Sequence, residues 1–389
     1  MVHVLRHCAD KLLGVPDPAI SIIVPALNEG PNLAPLAEQI AAALAGRDGG
    51  YEIIIVDDNS RDDTPAVAQQ LAHRYPLKLI VRTDPKDGLS GAVLRGFADA
   101  RGEILVVMDA DLQHPPAKLP ELIAPLERGE ADFVLGSRYV PGGSTAEKWG
   151  LYRQLNSAVS TFLARPFAGN VTDPMSGFFA LRRETFNRAQ RLTPLGYKIG
   201  LELMCKARVQ RVREIPIHFA ERTRGESKLT LKQQFKYLEH LSRLYDFTYP
   251  RASPVVKFVI VLIASWLAAL IAFVLLRRVA GEGPIAATTW SYVVAVAVTA
   301  LFHLRYVRTQ REFLIRPRPW LDFLFISVAE VITCMLVAMW VWARVKWPTL
   351  WDYVLIPFAA ATVVRYVLRK EMLQDVRGLR KDPRHDELT

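Results

Sequence analysis

The stretch after Ser253 carries four apolar runs, and they limit the fold more than any other feature of the sequence. The runs are 255–276, 286–304, 321–343 and 351–368, each about 18 to 23 residues, enough for a helix to cross roughly 30 Å of hydrocarbon. Backbone groups in hydrocarbon must satisfy one another, so the runs predict an all-α transmembrane domain over 254–370. Lys257 stands near the start of the first run, Asp322 at the edge of the third and Glu330 inside it. Glu330 marks either a functional group or a partly wetted helix face. Trp347, Trp351 and Tyr353 suit an interfacial belt on the far side. Arg305, Arg308, Arg311, Arg316 and Arg318 crowd the loop between runs two and three, and Arg365, Arg369 and Lys370 cluster about the end of run four. Positive charge collects on the cytoplasmic side, so both clusters, the tail 371–389 and the N-terminal domain are expected there, after an even number of crossings. The expected location is the cell membrane, multi-pass, with self-association through the spans a further expectation. A net charge of +10 would otherwise invite nucleic acid. Here topology accounts for most of it, and no nucleic-acid partner is expected.

Before Ser253 the pattern changes. At 389 residues the chain exceeds one ordinary domain. Ile20–Ala26, Tyr51–Val56, Leu77–Val81, Ile104–Met108 and Asp132–Gly136 read as short strands, and 31–45, 88–100 and 117–128 as helices. Asp62 and Asp63 precede another helix, where acids suit the positive end of the dipole. This alternation predicts βαβ units and a mostly parallel, Rossmann-like α/β sheet over 20–230. Residues 1–19, ending in Pro16-Asp-Pro18, read as a leader segment. Arg6, His7, Asp10 and Lys11 interrupt any apolar signal-peptide core, which keeps the first domain in the cytoplasm. Cys8, Cys205 and Cys334 lie far apart with no metal-ligand spacing and suggest a reducing compartment without disulfides.

In a parallel sheet the ligand sits beyond the carboxyl ends of the strands. Asn28-Glu29, Asp57-Asp58 and Asp109-x-Asp111-x-Gln113 all follow strand ends and would line one crevice. The last cluster closes the run Ile104 to Met108, and Pro115-Pro116 stop the strand and suit the first turn of the next helix. A hard ion, Mg²⁺ or Mn²⁺, takes one or two carboxylates and completes its shell with phosphate and water. Asp109, Asp111 and the neutral oxygen of Gln113 offer that set; the competing reading is a solvated strand-end loop. No Walker sequence is present and no Gly-x-Gly-x-x-Gly follows the first strand, which disfavours P-loop and dinucleotide chemistry. Gly88-Leu-Ser-Gly91 opens a helix and either offers N–H groups to a phosphate or is an ordinary helix start. Arg222-Thr-Arg-Gly-Glu-Ser-Lys-Leu229 reads as a cationic loop shortly before the membrane-facing sequence. Leu231, Phe235, Leu238, Leu241 and Tyr245 recur at helical spacing within 231–253, a helix lying on the membrane surface or packed on the sheet domain.

These motifs together resemble a known family. Val24-Pro-Ala-Leu-Asn-Glu29, Val56-Asp-Asp-Asn-Ser60, Met108-Asp-Ala-Asp-Leu-Gln-His-Pro-Pro116 and Gly136-Ser-Arg-Tyr139 match, as do Asp173-Pro-Met-Ser-Gly-Phe-Phe179, Gly196-Tyr-Lys-Ile199 and Arg224-Gly-Glu-Ser-Lys-Leu229. Residues 20 to about 245 resemble the family 2 glycosyltransferases of GT-A fold. Within these they look like dolichol-phosphate mannose synthases and related polyprenyl-phosphate sugar transferases. The resemblance implies that Pro25, Ala26, Asn28, Glu29 and Asp57 or Asp58 hold the nucleoside. Asp109, Ala110, Asp111 and Gln113 would meet the donor diphosphate, with Asp109, Asp111 and Gln113 holding Mg²⁺ or Mn²⁺ against it. Arg138 and Arg153 would sit near the acceptor phosphate and, with Asp111, carry the catalysis. Arg224, Ser227 and Lys228 would lie on a loop closing over the phosphates. The implied reaction moves one hexose from a nucleotide sugar, GDP-mannose being favoured, to polyprenyl or dolichyl phosphate in a lipid bilayer, with inversion. A UDP-glucose-dependent transferase stays open. A processive synthase would carry a Gln-x-x-Arg-Trp motif, which the sequence lacks. A non-catalytic nucleotide-binding membrane protein would have no need of the intact Asp109, Asp111 and Gln113.

Overall fold

The computed structural model describes residues 18–85, 87–145, 151–190, 192, 198–220, 231–250, 252–302, 319–345 and 350–377. The chain divides into two compact units, Met1–Thr248 and Tyr249–Thr389.

In the first unit each short apolar run becomes a strand, and the helices between them cover both faces of the sheet. The elements run β1 (Ile20–Ala26), α1 (Gly30–Ala43), β2 (Tyr51–Asp57), α2 (Thr64–Leu71), β3 (Leu77–Val81), α3 (Gly88–Asp99), β4 (Ile104–Val107), α4 (Leu119–Glu127) and β5 (Phe133–Ser137). There follow β6 (Ser144–Thr145), α5 (Leu151–Ala168), β7 (Phe179–Arg182), α6 (Arg183–Arg188), α7 (Ile199–Lys206), β8 (Val212–Pro216), β9 (His218–Phe219) and α8 (Leu231–Thr248). Seven strands form one sheet in the order β3-β2-β1-β4-β7-β5-β8. β1 pairs in parallel with β2 and β4, β2 with β3, and β5 with β8. β7 runs antiparallel between β4 and β5. The sequence reading passed over β7, whose four residues give no period of their own. This is the GT-A arrangement: an α/β unit with a mostly parallel sheet.

Side chains two apart on a strand share a face. Ile22, Val24 and Ala26 pack with Leu33, Leu36, Ala68 and Leu122 of α1, α2 and α4. Ile23 faces the other layer, with Val93, Phe97, Phe167, Leu203 and Leu244 of α3, α5, α7 and α8. Strands covered on both sides explain the near-continuous apolar runs. The chain turns outward from β1 to β3, then crosses back to β4 on the other side of β1, so the switch point lies between β1 and β4.

The segment 231–245 had two readings. Tyr237, Leu241 and Leu244 of α8 are buried in the first unit's core, and the Tyr237 hydroxyl donates to Ser160 O at 2.8 Å. Phe235 and Leu238 lie on its opposite, exposed side.

Two buried histidines make this unit acid-sensitive. Burial lowers both His114 and His240 from 6.5 to about 4. Between those values the unfolded chain takes up protons that the folded chain refuses, so stability rises with pH there and is lost on acidification. Each histidine is expected to remove about 1.4 kcal/mol per pH unit over that window. Denaturant unfolding of His240→Leu against the parent, from pH 7 to 4.5, should show the smaller slope in the variant; equal slopes contradict it.

The second unit comprises α9 (Ser253–Arg278), α10 (Pro284–Phe302), α11 (Pro319–Arg344) and α12 (Leu350–Arg377). Among the described residues, Val255–Arg278, Pro284–Phe302 and Leu324–Arg344 are long and apolar enough to cross a membrane. Crossing by the fourth helix stays an expectation. Two sequence readings are corrected here. Arg365 is not a flanking cation: it is buried and ion-paired with Glu330, 35 positions away, which is itself buried rather than wetted. Tyr353 packs in the unit's interior with Phe273, Tyr292 and Phe358. Residues 305–318 and 347 lie outside the described residues, as do the side chains of 351, 369 and 370.

Candidate active site

The carboxyl ends of β1, β2 and β4 are stitched into one edge. Asp58 N–H donates to Ala26 O at 2.9 Å, Arg82 N–H to Asp57 O at 2.8 Å, and Met108 N–H to Ile23 O at 3.2 Å. The loops that leave these ends bring Pro25, Ala26, Asn28, Glu29, Asp57 and Asp58 together on one side. Asn28 and Asn59 adopt left-handed backbone, at φ 56° and 61°, a conformation asparagine tolerates better than most residues. Asn28 N–H then donates to Ser60 Oγ at 2.8 Å, and Arg61 N–H to Asn28 Oδ1 at 2.8 Å. Glu29 N–H donates to Thr64 Oγ1 at 2.9 Å, and its carboxylate accepts from Asn32 at 2.7 Å.

The two acids of the pair differ. Asp57 is fully buried and accepts from the backbone N–H of Ser60 at 3.1 Å and from its hydroxyl. Asp58 is ion-paired with Arg82 at 2.6 Å, and Arg82 also donates to Gly88 O at 3.1 Å. Burial raises the Asp58 carboxyl above the usual range, with Arg82 pulling against it.

Beyond β4 the chain makes a tight loop. Leu112 has φ 61°, a left-handed conformation strained for leucine, and such strain concentrates at functional sites. The turn lets Asp111 Oδ1 accept from Gln113 N–H at 3.2 Å. Gln113 holds Ala220 from both sides: its Nε2 donates to Ala220 O at 3.0 Å, and its own carbonyl accepts from Ala220 N–H at 3.1 Å. Ala110 and Asp111 are buried, and the side chain of Asp109 is one-third exposed. His114 Nδ1 accepts from Asp109 N–H at 3.0 Å, and its ring stacks on Phe178 at 5.3 Å.

Facing this loop is the stretch from Thr172 to Phe178. A Cβ placed on Gly177 would lie 3.3 Å from Asp109 Oδ2, so the backbone there packs close to the carboxylate. Arg138, just after β5, anchors the stretch. Its Nε and Nη2 each donate to the Asp173 carboxylate at 2.8 Å, and its backbone N–H donates at 3.1 Å. The guanidinium also lies over the rings of Tyr139 and Phe219, at 5.3 and 5.4 Å. Lys198, at the start of α7, donates to Met175 O at 2.6 Å. Burial, with the charge of Arg138, lowers the Lys198 ammonium to about 8, against the pull of Asp173 and Asp109.

Thus Asp109, Asp111, Gln113 and Arg138 gather about one edge of the sheet. Arg153 belongs to α5, but its side chain lies outside the described residues, as do Arg224, Ser227 and Lys228 entirely. Sequence reasoning gave no role to Arg82, His114, Asp173 or Lys198. Three of the four fell inside motifs it quoted, and the signal missed was that buried ionisable groups in such stretches need partners.

The comparisons with known proteins make the chain a glycosyltransferase. Residues 21–189 match Glycosyl transferase family 2. The dolichol-phosphate mannosyltransferase of Pyrococcus furiosus is 46% identical over 245 residues, 62% of this chain and 68% of that protein. Those of Mycosarcoma maydis and Saccharomyces cerevisiae are 43% and 41% identical, over 63% and 59% of this chain and 85% and 88% of theirs. A solved glucosyl-3-phosphoglycerate synthase from Mycobacterium tuberculosis is similar at 23% identity and TM-score 0.43, covering 59% of this chain and 79% of that one. The chain belongs to glycosyl transferase family 2, in the branch of the dolichol-phosphate mannosyltransferases.

Proposed function

We propose that the chain transfers mannose from GDP-mannose to a polyprenyl phosphate at the cytoplasmic face of a cell membrane, inverting the anomeric centre. The observation that carries the reading is the strained Asp109–Gln113 loop, set at the switch point of the sheet and faced by the stretch that Arg138 and Lys198 hold. Relatives at 41–46% identity named as dolichol-phosphate mannosyltransferases support the substrate class.

The donor set suits a hard divalent ion. Among the described residues no group of three or more His, Cys, Asp or Glu side chains forms a metal cluster. Asp109 and Asp111 supply two carboxylates, and the Gln113 amide, whose Nε2 donates to Ala220 O, adds an oxygen to the set. Two carboxylates and an amide oxygen leave room for phosphate and water, as Mg²⁺ or Mn²⁺ prefers. Bound there, the ion supplies a Lewis acid that offsets charge on the leaving diphosphate.

The chain's own groups do the rest. A phosphate monoester has a second pKa near 6 and is largely a dianion at pH 7. It attacks the anomeric carbon without giving a proton to the protein. A new C–O bond to the acceptor phosphate forms as the C–O bond to the diphosphate breaks, and the electron pair leaves on the diphosphate. No general base is required, and His114 is neutral and already accepts from Asp109 N–H. The laced loops at β1 and β2 hold the nucleoside, while Arg138, fixed by Asp173, presents an oriented cation to the incoming anion.

All these groups precede Thr248. A chain ending at Tyr249 is therefore expected to convert labelled GDP-mannose and polyprenyl phosphate to lipid-linked mannose in detergent, with kcat within about tenfold of the full chain and a higher acceptor KM. Folded truncated protein that binds donor but yields no lipid product at any acceptor concentration would place part of the acceptor site in the second unit.

A further inference from the structure

All four helices of the second unit contribute to one buried chain of polar groups. Arg365 of α12 forks onto Glu330 of α11, with Nε donating to Oε1 at 2.7 Å and Nη2 to Oε2. Its Nη1 donates to Thr299 Oγ1 of α10 at 3.2 Å, and that hydroxyl lies 2.9 Å from Ser265 Oγ of α9. The Tyr292 hydroxyl of α10 donates to Glu330 Oε2 at 3.4 Å. Glu330 is 1% exposed and Arg365 3%.

The pair is unusual because of where its members sit. Glu330 lies within one of the three helices apolar enough to cross a membrane. Arg365 lies in α12, where it and Asp352 are the two charged residues of the apolar run 351–368. An arginine facing hydrocarbon opposes insertion, and a neutralising partner on a neighbouring helix removes that opposition. A forked Arg–carboxylate contact is the geometry that does so most completely. Removing either partner alone leaves a buried charge, whereas removing both leaves an apolar interface.

We propose that Glu330 is the docking partner that carries α12 across the membrane. The ion pair neutralises the arginine that opposes insertion of this helix as a fourth span. That returns the C-terminal end of α12 to the side on which α9 begins. The proposal rests on the reading that the second unit is embedded in a bilayer.

The test uses the full chain with Cys8→Ser, Cys205→Ser and Cys334→Ala and a single reporter, His385→Cys. Intact cells are treated with an impermeant maleimide before and after lysis, and membrane fractions are checked for the protein. The parent should be in the membrane fraction and label only after lysis. Glu330→Leu should raise labelling from outside at least about fivefold. Glu330→Leu with Arg365→Leu, and separately the exchange Glu330→Arg with Arg365→Glu, should return labelling to the parent level. Glu330→Leu protein with the parent's labelling and the parent's melting temperature in detergent overturns the proposal. So does a double variant as mis-seated as the single one. External labelling of the parent overturns the four-span topology while leaving the membrane reading intact. A parent found in the soluble fraction overturns that reading and this proposal with it.

Discussion

Replacing Asp111 with Asn is expected to lower transfer about a thousandfold or more while leaving the melting temperature within about 2 °C of the parent. The two effects separate because the carboxylate has two jobs. Asp111 Oδ1 accepts from Gln113 N–H at 3.2 Å, a bond that an asparagine oxygen can also accept. The turn at Leu112 and the buried position of the side chain therefore survive. What is lost is one negative charge facing the proposed cation. A thousandfold loss corresponds to about 4 kcal/mol of transition-state stabilisation. Lipid-linked product measured against time, beside a thermal melt, decides the matter. Undiminished turnover in the variant, or in the parent under excess chelator, contradicts the metal-centred account.

Asp173→Ala is expected to damage both stability and activity. Asp173 is fully buried and accepts three hydrogen bonds from Arg138, two from the guanidinium and one from the backbone. Truncation leaves a largely buried cation without its carboxylate, at an expected loss of about 3–5 kcal/mol. The stretch from Thr172 to Phe178, which sets Gly177 beside Asp109, loses its anchor as well. Arg138→Lys should not restore the geometry, because a single ammonium cannot reproduce the fork. The pair Arg138→Met with Asp173→Leu should regain much of the stability and none of the transfer. Chemical denaturation of the three variants tests this, and a single Asp173→Ala variant as stable as the parent contradicts it.

The parallel half of the sheet was legible because its signals are local. Ile20–Ala26, Tyr51–Asp57 and Ile104–Val107 are apolar runs buried on both faces, each followed by polar residues or a proline break. β7 was not legible: Phe179–Arg182 acquires its place from β4 and β5, which flank it only after folding. The same reason hid the roles of His114 and Lys198. His114 is set by Phe178 and Lys198 by Met175, on a stretch distant in sequence from His114. Arg365 was misread because a cation near the end of an apolar run has the same local signature whether it meets headgroups or a buried Glu330.

The central claim is sugar transfer to a lipid phosphate. Its most direct test is the full-length purified protein incubated with polyprenyl phosphate, divalent metal and a panel of labelled nucleotide sugars, with the organic phase then analysed. The account predicts label in polyprenyl-phosphate mannose from GDP-mannose, with UDP-glucose giving at most about a hundredth of that rate. Folded protein that binds a nucleotide yet delivers no sugar to the lipid from any donor contradicts it.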